Sequence, residues 1–150
     1  MKTIQILIFF SLIYTNIKSQ PLKELLPPSE VTFNAIETWD HKGEKFFGEL
    51  KSSQNANTKL HIFSLDNNLY TYIEIVSSIF KSKFVFSVMS TENFISKDDK
   101  TLKLCITDCK VTGDEGDHRF KIQIVYKDEK LIECHLDSNQ GFVIKFHNKL

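Results

Sequence analysis

Apolar and polar residues alternate cleanly in the last third of the chain. Phe120, Ile122, Ile124 and Tyr126 fall at every second position, with Arg119, Lys121 and Gln123 between them. A period of two places one face of a strand in a core and the other in water. Lys127-Asp128-Glu129-Lys130 is short and polar and predicts a hairpin turn. Asp137 to Gly141 predicts a second turn, with Gly141 available for a positive φ. Phe142, Ile144 and Phe146 restart the alternation. Three such strands share one apolar face, and that face needs a covering layer. Phe120, Ile122, Ile124, Ile144 and Phe146 are the expected core.

Upstream, the same reading gives further short strands between turn signals. Val31–Phe33 reads as a weak strand and Trp39–Gly43 as a turn. Lys45–Leu50 is a strand in which Gly48 marks a bulge or a close approach. Ser52–Thr58 is polar and reads as a loop. Lys59–Leu65 and Leu69–Val76 read as strands around an Asp66-Asn67-Asn68 turn. Ser77–Lys81 fits either a turn or a short helix. Lys83–Met89 alternates, with Phe84, Phe86 and Val88 on one side; Leu102, Leu104 and Ile106 form the next inward row. About nine strands at regular spacing argue for an antiparallel all-β sandwich or barrel over residues 31–150.

The N-terminus has a different character. Lys2 precedes an apolar run from Ile4 to Tyr14, and polarity returns before Ser19. That layout predicts a cleaved secretory signal over residues 1–19. The run is too short to span a bilayer core, which takes about 20 residues, and no later stretch is longer. A secreted, extracellular protein with no membrane span is therefore expected. Residues 20–30 hold all three prolines and read as an extended linker. The whole chain balances 19 basic against 19 acidic residues, which disfavours a nucleic-acid partner. The sequence leaves the oligomeric state open.

In an oxidising compartment Cys105, Cys109 and Cys134 imply one disulfide and one thiol left over. Four residues along one extended strand separate Cα atoms by about 13 Å, whereas a disulfide tolerates about 7 Å. Cys105–Cys109 would need a tight turn; otherwise Cys134 pairs with one of them, and Cys109–Cys134 is the favoured pairing. The five histidines show no metal-ligand spacing, so no metal is expected. Asp114, Glu115 and Asp117 lack the spacing of a calcium loop and read as a solvated turn. A G-x-S-x-G elbow and a phosphate-binding glycine loop are both missing, so neither an enzyme nor a cofactor is expected. Trp39, the sole tryptophan, is a packing residue or a ligand platform.

Lys45-Phe46-Phe47-Gly48-Glu49-Leu50 followed by Leu60-His61-Ile62-Phe63 resembles the galectin pattern. Phe120 to Ile124, Asn139-Gln140-Gly141 and Phe146-His147 are similar to the later galectin strands. The resemblance implies a two-sheet jelly-roll sandwich. It also departs from the family. Phe63 and Leu65 stand where the sugar-binding His-x-Asn-x-Arg motif needs Asn and Arg, and no Trp follows Trp39. Of that site only His61 matches. The expected function is a small secreted binding protein, with carbohydrate as the ligand class implied by the resemblance. Its expected ligand-binding residues are His61 and Phe63, two apart on the outward side of Lys59–Leu65. The alternative is a carrier of a small apolar ligand or lipid, motivated by the Phe84/Phe86 and Phe142/Phe146 rows.

Overall fold

The structure, a computed structural model, describes residues 26–40, 48–66, 70–112, 118–137 and 141–149. The expected signal segment, residues 20–25 of the linker, the first half of Lys45–Leu50 and the Thr112–Asp117 turn beyond Thr112 lie outside the described residues. Eight strands follow in order: β1 Ser29–Asp40, β2 Leu50–Leu65, β3 Tyr70–Ser77, β4 Phe84–Ile95, β5 Leu102–Val111, β6 Arg119–Lys127, β7 Lys130–Asp137 and β8 Phe142–His147. Each pairs antiparallel with the next, and β1 also pairs with β8. One sheet thus closes on itself as an up-and-down barrel.

This corrects the two-sheet sandwich and the galectin-like jelly roll. Alternation shows that a strand has an inner face, but not whether that face meets a second sheet or the same sheet curled round. The deciding element is β1. Read as a weak strand ending at Phe33, it runs through Asp40 and has two partners. Ser29–Trp39 pair with β2, and Ala35–Asp40 pair with Phe142–His147 of β8. A register shift between Phe33 and Ala35 bends it from one partner toward the other. Ser52–Thr58, expected as a loop, belongs to β2. Its first half is exposed on both faces, so no alternation marked it.

The Lys127–Lys130 hairpin is a two-residue turn with Asp128 and Glu129 at φ 49° and 63°. Positive φ at both central positions matches the right-handed twist of the flanking strands. Gly141 takes its positive φ, at 87°. Gly48 is a close-approach point: an added Cβ would lie 2.8 Å from the Asp40 carbonyl oxygen.

Opposed residues in an antiparallel pair share a face, so the register assigns the lumen. Phe33, Leu60, Ile62, Ile73, Ile75, Phe86, Ile122, Ile124 and Phe146 are fully or almost fully buried in it. Phe120 and Ile144 are partly buried against the same cluster. Leu26, just ahead of β1, is also fully buried in that cluster. On β5 the expected inward row is reversed. Cys105 and Cys109 belong to the luminal cluster, whereas Leu102 and Leu104 join Phe94 and Val125 in a separate cluster on the outer side. Both faces of β5 are buried, so its period of two could not say which face looked inward.

None of the three cysteines is in a disulfide, which corrects the expected Cys109–Cys134 bond. Cys105 and Cys109 lie four apart on extended β5. Cys134 sits on β7, with β6 between: Cys105 opposes Ile124, and Ile124 opposes Cys134. Two strand spacings are about 9–10 Å, beyond disulfide reach. Burial pushes the Cys105 thiol up to about 11 and the Cys109 thiol to about 12. Burial, with Cys109 nearby, drives Cys134 upward as well.

Candidate functional site

The two ends of the lumen differ. At the β3–β4 end it is aromatic. Phe86 meets Phe120 edge-on at 5.5 Å, and Phe80 meets Phe84 at 5.4 Å and Phe146 at 6.4 Å, both near perpendicular. Edge-to-face rings at these separations are favourable, so this end is a packed plug.

Against the other end lies a recess of about 840 Å³. Ser29, Ile95, Lys103 and Tyr126 line it from the strands, with Pro27 and Glu129 at its margin. The β6–β7 hairpin is held there by the Asp128 N–H, which donates to the Thr101 carbonyl at 3.1 Å. Tyr126 is 4% exposed and belongs to the luminal cluster. Burial, reinforced by Cys105 and Cys134, raises its hydroxyl well above the ordinary phenol range. A hydrogen bond with Ser29 works the other way: the Ser29 Oγ donates to the Pro27 carbonyl at 3.1 Å and keeps its lone pairs for the Tyr126 O–H.

Below this rim runs a polar row. A register shift between Val88 and Ser90 flips the facing of β4. From there Thr91 opposes Thr107 and Asn93 opposes Cys105, so both look inward. The Thr107 hydroxyl is committed to the Ile122 carbonyl at 2.9 Å. Thr91 Oγ1 and Asn93 Oδ1 are buried with no hydrogen-bond partner among the described residues, as is Lys145 Nζ on the outer face. This part of β4 pairs only with β5, since β3 meets β4 at Phe84–Ser87 alone.

His61 and Phe63 are on the outer face of β2, both half-buried and away from the recess. Their rings stand 4.9 Å apart, and Phe63 stacks on Tyr72 of β3 at 5.5 Å. Trp39 donates from Nε1 to Glu37 Oε2 at 3.0 Å on the outer face of β1. Beside it, the outward residues of β7 and β8 form a buried charged group. His135 Nε2 lies 2.9 Å from Glu133 Oε2, and Lys145 Nζ lies 3.3 Å from Glu133 Oε1. His147 Nε2 lies 3.1 Å from Glu37 Oε1. Burial pulls Glu133 upward, but the His135 hydrogen bond and the His135 and Lys145 charges outweigh it and hold the carboxyl below its usual range. Burial lowers the His135 pKa, against the opposing pull of its hydrogen bond and charge contact with Glu133. A second recess, about 660 Å³ and lined by asparagines, lies at the bend of β1, where Asn34 and Asn148 amides cap each other's strands. Among the described residues no cluster of His, Cys, Asp or Glu could hold a metal ion.

Sequence reasoning missed the inward facing of Thr91 and Asn93 and the place of Tyr126 at the recess. Tyr126 was read as the end of a core row, and Thr91–Asn93 fell after the last strand position assigned, Met89. Continuing the alternation of β4 through a one-residue slip was the available signal.

No protein-family model matches this chain, no curated protein matches it in sequence, and no solved structure matches it.

Proposed function

We propose that this protein is a carrier of a small apolar ligand, held in the barrel lumen and admitted at the Tyr126 end. The carrying observation is an eight-stranded closed barrel with an apolar, aromatic-rich interior and an 840 Å³ recess against its Tyr126 end. Eight strands give an interior that side chains can fill or that can hold one small ligand, and ligand pockets run from about 300 to 1,000 Å³. The recognition surface of a galectin-like sandwich has no counterpart here, because the strands that would build it form a barrel wall.

The signal-like segment supports an extracellular setting, in which the carrier takes its ligand from solution or from a membrane surface. N-terminal sequencing of exported material should start near Gln20; an intact Met1 would remove that setting. Binding itself is tested by titrating N-phenyl-1-naphthylamine and reading its blue-shifted fluorescence. Saturation at one probe per chain is expected. Ile95→Trp, which narrows the recess, should weaken it about tenfold, whereas Phe63→Ala on the outer wall should leave it unchanged. Loss of binding in the Phe63 variant alone would move the site out of the lumen.

A further inference from the structure

We infer that Leu26 is an internal occupant of the ligand site, and that a carried molecule binds by expelling it. The inference rests on the carrier reading and deepens it by naming the part of the lumen the ligand takes and what fills that part beforehand. Leu26, just ahead of β1, is fully buried in the luminal cluster. The next two residues, Pro27 and Pro28, are exposed and line the recess together with Ser29. Between Ser29 and Leu26 the chain therefore passes from the wall of the recess into the lumen, and Leu26 sits where the two meet. A ligand arriving at the Tyr126 end reaches this side chain before the rest of the luminal cluster.

The arm that carries Leu26 is built to come away. Proline has no N–H, so Pro27 and Pro28 cannot donate to a sheet ladder. The pairing of β1 begins at Ser29, opposite Ile62. The two proline rings fix φ, and each restricts the residue before it, so the arm moves as a stiff lever about the start of β1. Its polar tie is a short relay: the Tyr126 O–H donates to Ser29 Oγ, which donates to the Pro27 carbonyl at 3.1 Å. Leu26 itself brings an isobutyl group to an aliphatic and aromatic cluster. Apolar contact has no direction, so another apolar group of similar volume replaces it. The space Leu26 leaves suits a branched aliphatic end, with the remainder of the ligand lying in the recess past Ile95 and Tyr126.

The test follows N-phenyl-1-naphthylamine in Leu26 variants of the full chain. Leu26→Ala removes the competitor and should tighten the probe about tenfold, because apparent affinity falls with the fraction of molecules whose site is already filled. Ser29→Ala, which cuts the relay, should speed probe association severalfold. Leu26→Cys reports position directly. Its thiol should react slowly with a thiol reagent in the free protein and about fivefold faster once the probe saturates, while the parent's thiols stay inert throughout. A retained thermal transition shows that each variant folds. Unchanged or weaker binding by Leu26→Ala, still at one probe per chain, overturns the inference and makes Leu26 core packing, while leaving the carrier reading intact. A Leu26→Cys thiol that the bound probe leaves as protected as before overturns it in the same way. Failure of the probe to bind the parent and Leu26→Ala alike overturns the carrier reading with it.

Discussion

Two regions of this barrel bury polar side chains, and they treat them in opposite ways. On the outer face of β7 and β8, Glu133, His135 and Lys145 are charged or ionisable, and each has an opposite number within 3.3 Å. Inside the lumen, Thr91 and Asn93 are neutral, and their buried oxygens have no hydrogen-bond partner among the described residues. Buried charge persists only when an opposite charge lies beside it, because the desolvation penalty is several kcal/mol per ion. Neutral polar groups cost less to leave unmade, so the lumen can keep an oxygen that no protein group answers.

The largest expected effect comes from breaking the outer group. Glu133→Ala leaves Lys145, fully buried, without its carboxylate; chemical denaturation should show a loss of about 3–5 kcal/mol. A loss under 1 kcal/mol would mean that the ion pair is not holding the wall. Phe146→Ala, which empties the plug beneath Phe80, should cost about 3–5 kcal/mol as well.

The luminal pair should respond with the opposite sign. Asn93→Leu replaces a side chain whose buried amide oxygen has no partner among the described residues with a similar apolar volume, and stability should rise by about 1 kcal/mol. A destabilised Asn93→Leu protein would show that the amide is paired after all and would erase the contrast between the regions.

Acid separates the regions too. His135 has a folded pKa below its ordinary 6.5, so its contribution is complete above that value and is lost as pH falls toward the folded pKa. Glu133 is held below its ordinary 4.5, so its contribution is present above 4.5 and is lost as pH falls through the folded value. Thermal midpoints should therefore decline in two stages on acidification, the first missing in His135→Asn and the second in Glu133→Gln. Asn93→Leu should keep both stages.

The smallest effect concerns the thiols. Without a disulfide, a reductant should move the thermal midpoint by less than about 1 °C. With Cys105 and Cys109 near 11 and 12, native protein should be inert to a thiol reagent at pH 8, and all three cysteines should react after unfolding.

These contrasts also show what the sequence could express. Phe120 to Tyr126 has one wet face, and its alternation placed Ile122 and Ile124 in the core unaided. β5 is buried on both faces, so Leu102 and Leu104 were put on the wrong side, and Cys109 was expected to bond Cys134 where both are buried thiols. The Lys127–Lys130 turn was local and therefore readable. Closure through Ala35–Asp40 and Phe142–His147 was not, because pairing between distant segments leaves no periodic mark in either. The luminal Thr91 and Asn93 failed to register for a different reason: an Asn and a Thr past Met89 look like the polar end of a strand until the bulge before Ser90 shows that the strand continues with its faces exchanged.

The double pairing of β1 sets a timetable for the growing chain. The Asn34 N–H reaches the side chain of Asn148, 114 residues later. Strands β2 to β7 can assemble as successive local hairpins while synthesis proceeds. The seam between β1 and β8 must await the last strand, and at roughly 5–20 residues per second that wait is on the order of ten seconds. Throughout it, Ala35–Asp40 presents an unpaired edge, and Ile36, sealed in the finished barrel, has no wall to cover it. Non-local closure of this kind is the slow, aggregation-exposed step of β folding. The vulnerable species of this protein is an almost complete barrel, gaping along one line.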